Sequence, residues 1–272
     1  MPTELHWFPT FNLPSGEPRS FPIVLGHELS GKVETLGTGV NNFKVGDEVY
    51  ELNDWFANGA QAEYCVASAT ALALVPESLD HVQSAVVPIS ALTAWQGLFE
   101  RTHLQEGQRI LIHGAAGGVG TFAVQLAHWR GAQRVVATAS TGNLEFVRSL
   151  GAEEVIDYRT SRFEDTFQDV DVVFDGVGGE TLERSWAVLK PGGQLVTIAA
   201  QSEGVSEQRV RDAFMLVRAD GSQLAEISKL IDAGKIRVYA EGMFPLAQAR
   251  DDFQRALDGR MRGKIDLNVV NI

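Results

Sequence analysis

From Arg109 onward, short apolar runs alternate with segments whose apolar residues recur at helical spacing. Arg109–His113 (RILIH) is a compact apolar run closed by glycines. After it, Val119, Phe122, Ala123, Leu126 and Ala127 fall on one helical face, which predicts a helix over Val119–Arg130. Arg134–Thr138, Glu154–Asp157, Asp171–Asp175 and Gln194–Ile198 repeat the apolar run. Helices are expected between them at Asn143–Leu150, near Phe163–Phe167 and at Glu180–Leu189. Short apolar strands separated by helices predict an α/β domain with a doubly wound parallel sheet, buried on both faces.

The flanking pattern is different. Gly31–Leu36, Asp47–Glu51 and Ala62–Ala67 read as short strands joined by turn residues such as Asn41-Asn42 and Val45-Gly46-Asp47. Leu79–Glu100 reads as two helices with a break near Pro88. Beyond the alternating region, Phe214–Val217 reads as a strand and Ser222–Ala233 as an amphipathic helix stopped by Gly234. A helix at Leu246–Leu257 and a strand at Lys264–Val270 complete the chain. The expected boundaries are 1–78 for a mostly β domain, 79–235 for the α/β domain and 236–272 for a mixed tail.

The 272 residues suffice for two domains, and 44% hydrophobic with 21% charged residues is an ordinary globular mixture. A formal net charge of −12 repels phosphate backbones and argues against nucleic acid as the main partner. The single cysteine, Cys65, forms no intrachain disulfide and cannot build a four-cysteine zinc site. It falls in an expected strand and reads as a small core residue. The opening MPTELHWFPTFN lacks the basic and apolar regions of a secretory leader. The apolar stretch Val82–Phe99 is broken by Gln83, Pro88 and Gln96, so it reads as a buried helix pair or an interdomain segment rather than a membrane span. The expectation is a soluble cytoplasmic protein.

The chemistry concentrates in Gly114-Ala115-Ala116-Gly117-Gly118-Val119-Gly120, between an expected strand and an expected helix. Glycine permits positive φ and close backbone approach. The following helix opens with unpaired N–H groups and a positive dipole end, which suit a pyrophosphate. Alanine at 115 departs from G-x-G-x-x-G, but the strand before, the helix after and the further strands supply the context the motif needs. At the end of the second strand, about 20 residues on, NAD binders usually place an acid for the ribose hydroxyls. This chain has Thr138-Ala139-Ser140-Thr141-Gly142-Asn143 instead. The absence of a carboxylate there permits the 2′-phosphate of NADPH, and the Ser140 and Thr141 hydroxyls are candidate donors to it.

Four segments in order carry a family likeness: Leu25-Gly26-His27-Glu28 with Gly31 and Gly37, Asn42–Val49 (NFKVGDEV), Ala91-Leu92-Thr93-Ala94-Trp95, and the glycine turn. Ala62-Glu63-Tyr64 also fits. The chain resembles the zinc-independent quinone oxidoreductases of the medium-chain dehydrogenase/reductase superfamily. The resemblance implies a GroES-like catalytic domain, to which the tail returns, and a Rossmann domain between. It implies Thr93 beside the nicotinamide and Tyr158 at the 2′-phosphate. Asn143 stands where some members have a phosphate-binding lysine, and Phe214, Met215 and Leu216 belong to a strand that meets the nicotinamide amide. Val177 and Ala199 complete the expected cofactor set. A homodimer is also implied.

Pro2-Thr3-Glu4 is similar to the family's N-P-x-D motif, which normally lies tens of residues into the chain. By that likeness the first strands of the catalytic domain are lacking, and the GroES-like part is partial. Met1 then matches an active-site asparagine and His6 a pocket tyrosine, which makes His6 the candidate catalytic donor or pocket wall.

His27-Glu28 invites comparison with zinc alcohol dehydrogenases, but catalytic zinc takes three protein ligands and an open position. Val87-Pro88-Ile89-Ser90, where a further ligand would be expected by likeness, supplies none, so no metal is assigned. No G-x-S-x-G hydrolase signature occurs. Trp55 is either a pocket residue or a packing one, and the acidic pair at Asp251 lies on an expected solvated helix. The expected reaction is hydride transfer from NADPH to a quinone or α,β-unsaturated carbonyl. The alternatives are a zinc-dependent alcohol dehydrogenase and a non-catalytic NADPH-binding sensor.

Overall fold

The computed structural model describes residue 4 and residues 7–258 and 262–269. His6 and the first three residues lie outside them, as does Val270 at the end of the expected last strand. The chain divides into two compact units, 1–92 with 218–272, and 93–217.

The first unit begins with a one-turn helix α1 (Phe8–Phe11) and a three-stranded antiparallel sheet of β1 (Glu28–Lys32), β2 (Glu48–Leu52) and β3 (Ala73–Leu74) in the order β1-β2-β3. β1 pairs with β2 through Glu28↔Leu52 to Lys32↔Glu48, so it starts and ends earlier than the expected Gly31–Leu36. The expected strand Ala62–Ala67 is not formed. That segment runs without ladder pairing, and Cys65 on it is exposed rather than a core residue. Its alternation resembles a strand, but no neighbouring edge satisfies its backbone. Helix α2 (His81–Ala85) opens with a capping box: the Asp80 carboxylate accepts from Gln83 N at 2.7 Å, and Asp80 N donates to Gln83 Oε1 at 3.4 Å. Helix α3 (Pro88–Trp95) starts at the expected break, with Pro88 at a first-turn position where no N–H is needed. A π-helical stretch, Gln96–Arg101, follows.

The second unit is the expected parallel sheet: β4 (Arg109–His113), β5 (Arg134–Ala139), β6 (Glu154–Asp157), β7 (Val170–Asp175) and β8 (Leu189–Thr197), in the order β6-β5-β4-β7-β8. Every pairing is parallel. Between strands lie α4 (Gly118–Trp129), α5 (Leu144–Ser149), α6 (Gly179–Ser185) and, after β8, α7 (Gln208–Ala213). The expected helix near Phe163–Phe167 is only a 3-10 turn, Phe163–Asp165. Phe163 and Phe167 are nevertheless buried with Leu111, Val136, Val173 and Leu182 in one core cluster. Helix α7 has no counterpart in the sequence reading. Phe214–Val217 forms no strand; it contributes one parallel bridge, Thr197↔Phe214.

The chain returns to the first unit through α8 (Gly221–Asp232), β9 (Ala240–Pro245), α9 (Ala249–Asp258) and β10 (Lys264–Asn268), with β10 and β9 parallel. The Asp220 carboxylate caps α8 by accepting from Gln223 N at 3.1 Å. Leu224, Ile227 and Ile231 bury its apolar face. Polar ties fix this return. Tyr50, fully buried, donates its hydroxyl to Leu224 O at 2.8 Å, and Ser78 donates N and Oγ to Asp232 Oδ1 at 3.0 and 2.8 Å. With α2 packed on β1, these contacts belong to the unit that ends at residue 92 and resumes at residue 218. No described helix is long and apolar enough to cross a membrane.

Candidate cofactor site at the carboxyl edge of the parallel sheet

Except for Thr93, the residues expected at the cofactor lie on segments that follow the carboxyl ends of the five parallel strands. β4 runs directly into the glycine turn, as the apolar run before Gly114 requires. Gly114 takes φ +76°, a left-handed conformation that side chains resist. Its carbonyl accepts from Gly117 N at 3.1 Å. Gly117 is the N-cap of α4 with extended φ/ψ of −79° and 174°. The first intrahelical bond runs from Thr121 N to Gly117 O at 3.0 Å, so the amides of Gly118, Val119 and Gly120 precede it. A Cβ on Gly120 would lie 2.2 Å from Gly114 O and 2.6 Å from Ala115 Cα. Glycine is therefore required there for the helix to seat on the turn. Ala115, the departure from the strict motif, is fully buried, and its N–H reaches toward Thr138 O at 3.4 Å. Alanine fits because this position faces the protein. Gly114, Gly117, Gly118, Val119, Gly120, Gly176 and Ile198 line a cleft of about 180 Å³ at this edge.

Val177 and Ala199 follow β7 and β8, and one buried network holds both. Asp175, fully buried, accepts at Oδ1 from Val177 N (3.0 Å) and Gly178 N (3.1 Å), and at Oδ2 from the Thr197 hydroxyl (2.8 Å). Thr197 Oγ1 in turn accepts from Ala199 N at 3.3 Å. Sequence reasoning missed Asp175 and Thr197; the signal was a charged and a hydroxyl residue closing otherwise apolar runs. Phe214 and Met215 are half-buried beside β8, with Met215 N donating to Thr197 O at 3.0 Å, and Leu216 is 41% exposed. Thr93 lies on α3 and is buried.

The end of β5 differs from the sequence expectation in one respect. Asp157, the last residue of β6, pairs in register with Ala139, and its carboxylate accepts from Thr141 Oγ1 at 2.5 Å and Arg159 N at 3.0 Å. An acid therefore stands at this corner, supplied by the third strand rather than the second. The Thr141 hydroxyl bond and then the Arg159 amide hold its pKa below the usual range. Thr141 thus gives its proton to Asp157, and of the two expected hydroxyl donors Ser140 alone retains one. Ser140 Oγ accepts from Asn143 Nδ2 at 3.2 Å, which leaves its hydrogen directed elsewhere. Tyr158 is 58% exposed, and the next residue, Arg159, is exposed too. Sequence reasoning overlooked Arg159, the cation adjoining this corner.

In the first unit, the His27-Glu28 pair is engaged structurally. His27 is 3% exposed, its Nδ1 lies 3.2 Å from Asp54 O, and Trp55 meets its ring edge-on at 5.2 Å. Burial lowers its pKa. Trp55 also packs on Trp7 at 4.6 Å. Glu28 accepts from Ile89 N at 3.0 Å at the start of α3 and pairs with Lys264 of β10.

Two family models match the chain: an alcohol dehydrogenase GroES-like domain over residues 3–77 and a zinc-binding dehydrogenase over residues 150–266. A quinone-oxidoreductase of Triphysaria versicolor, chloroplastic by name, is 32% identical over 265 residues, which cover 91% of this chain and 80% of that one. The chain belongs to the medium-chain dehydrogenase/reductase superfamily. A second superfamily member, the NADPH-dependent alkenal/one oxidoreductase of Arabidopsis thaliana, is 36% identical over 90% of this chain and 63% of its own length. A mycobacterial protein solved in complex with NADPH matches the structure with a TM-score of 0.81 and 29% identity, over 97% of this chain and 88% of that one. The described residues offer a poor fit to zinc. Among the described residues no three His, Cys, Asp or Glu side chains are placed to hold a metal ion, and Glu28 is bound to Lys264. The expected catalytic residue, His6, lies outside the described residues.

Proposed function

We propose that this chain uses NADPH to reduce a quinone or an α,β-unsaturated carbonyl without a zinc ion at the reacting oxygen. One observation carries the cofactor reading: the mouth of α4 is closed to any side chain at Gly120, while three amides stand free of the helix ladder above a cleft. That arrangement would suit a diphosphate at the Gly118, Val119 and Gly120 amides. Bound there, NADPH supplies a hydride to an electron-poor carbon.

The remaining work belongs to the chain. The Gly118, Val119 and Gly120 amides would hold the pyrophosphate. The Asp175–Thr197 network fixes the Val177 and Ala199 segments against drift. At the β5–β6 corner the Asp157 carboxylate is taken up by the Thr141 hydroxyl and the Arg159 amide, while Ser140 keeps a hydroxyl hydrogen, Tyr158 offers a phenol and Arg159 a guanidinium, a set that would offset the acid and suit a 2′-phosphate. The names of the relatives support the substrate class: an alkenal or enone and a quinone share an electron-poor carbon conjugated to a carbonyl. No zinc step is drawn, because Glu28 is bound to Ile89 N and Lys264 and no three His, Cys, Asp or Glu side chains converge among the described residues.

Oxidation of NADPH followed spectrophotometrically, over a panel of quinones and enals, tests the reaction. Turnover with members of both classes is expected. Turnover only with saturated alcohols or aldehydes, lost on chelation, would replace this reading with zinc alcohol dehydrogenase chemistry.

A further inference from the structure

His113 is the last residue of β4, immediately before Gly114, and it is 1% exposed. Both ring nitrogens are engaged: Nδ1 lies 3.0 Å from Thr138 Oγ1 on β5, and Nε2 lies 3.0 Å from Ser185 Oγ at the end of α6. The donors can be assigned. The Ser185 hydroxyl gives its hydrogen to Thr181 O at 2.7 Å, so toward His113 it can only accept. Nε2 therefore carries the proton, Nδ1 is the bare nitrogen, and the Thr138 hydroxyl donates to it. The Phe163 ring meets the imidazole edge-on at 4.5 Å. The charged groups that act on it are Arg184, which opposes a second proton, and Glu164, which favours one. Arg184 Nη1 bonds Glu164 Oε1 at 3.0 Å, so the two largely cancel.

Three elements are thus joined through one neutral ring. Thr138 sits one residue before the end of β5, and its carbonyl also receives the Ala115 N–H of the glycine turn. We infer that His113 is a positioning residue: as the neutral Nε2–H tautomer it sets the spacing between the pyrophosphate turn and the Ser140 corner. The inference rests on the cofactor reading above. A protonated ring would face Thr138 with a second N–H and break the donor pattern. Burial holds the imidazole down at about 3, so this does not occur near neutrality.

The test uses the whole protein with and without NADPH. Nitrogen-15 NMR of labelled histidine should show His113 protonated at Nε2 alone and untitrated between about pH 5 and 8. Thr138→Val removes the donor to Nδ1 without adding bulk. It should raise the NADPH dissociation constant about tenfold and leave the KM for the enone unchanged. His113→Phe should do more, and His113→Gln, which keeps a donor toward Ser185, should fall between. A proton on Nδ1, a midpoint near that of free histidine, or folded Thr138→Val and His113→Phe proteins that bind NADPH like the parent would overturn the positioning role alone. A parent protein that binds no NADPH would overturn the cofactor reading and this inference with it.

Discussion

Glu51→Gln should make the protein more stable, and by an amount that grows with pH. Glu51 lies on β2 between Tyr50 and Leu52, all three fully buried. Neither carboxylate oxygen has a hydrogen-bond partner. Burial pushes its pKa from 4.5 up to about 8. The folded pKa lies above the unfolded one. Between these values the folded state keeps a proton that the unfolded chain has lost, so stability falls as pH rises through the window. Linkage puts the loss at about 2 kcal/mol by pH 6, about 3 by pH 7 and about 4 by pH 8. Glutamine has nearly the same shape and no proton to lose. Urea unfolding at pH 6 and pH 8 should therefore show the Gln variant's advantage roughly doubling, and melting at pH 7 should rise by about 6–12 °C. A second signal comes from Cys65, whose thiol, exposed at its surface but partly desolvated by its neighbours, is pushed up to about 11 by that desolvation and then by the Glu51 charge. It is the chain's single cysteine, so its alkylation reports cleanly, and the Gln variant should react faster in mild alkali. An advantage equal at both pH values, or none, would refute a buried, unpartnered, titrating carboxyl.

Gly120→Ala should push the start of α4 off the turn and abolish NADPH binding, because its Cβ would lie 2.2 Å from Gly114 O; fluorescence titration checks the binding, and circular dichroism checks that the rest of the fold remains. Arg159→Ala should weaken NADPH about tenfold while leaving NADH nearly unchanged, as removal of one charge-assisted contact to a 2′-phosphate requires; paired titrations measure it. Lys264→Met should cost about 3–5 kcal/mol, since it strands the Glu28 carboxylate in the first unit; urea unfolding of that variant beside Lys264→Met/Glu28→Leu shows whether the stranded charge is the cause. Dialysis against a chelator should leave NADPH oxidation unchanged, and recovery of stoichiometric zinc from the active protein would contradict the metal-free reading.

The parallel sheet was legible because its strands are buried on both faces and read as continuous apolar runs, with glycine marking the one turn that must approach a ligand. The mostly β region was less legible. Ala62–Ala67 alternates like a strand, yet strand formation depends on a partner edge that only the folded chain supplies or withholds. Helix α7 escaped notice because Gln208–Ala213 is short and largely polar. The corner at β5 was misread for a related reason. Asp157 follows Thr141 by sixteen positions, and parallel pairing of Ala139 with Asp157 is what brings the acid there. Arg159 went unremarked since a lone surface arginine carries no pattern. His27-Glu28 shows the converse: a motif with a chemical history whose Glu28 carboxylate here serves Ile89 and Lys264.

Isothermal titration of the intact protein with NADPH and with NADH bears most directly on the account. A single class of site that takes NADPH, favours it over NADH, and disappears on Gly120→Ala is the predicted result. Absence of heat with either nucleotide, or equal uptake of both that survives the alanine, would contradict it.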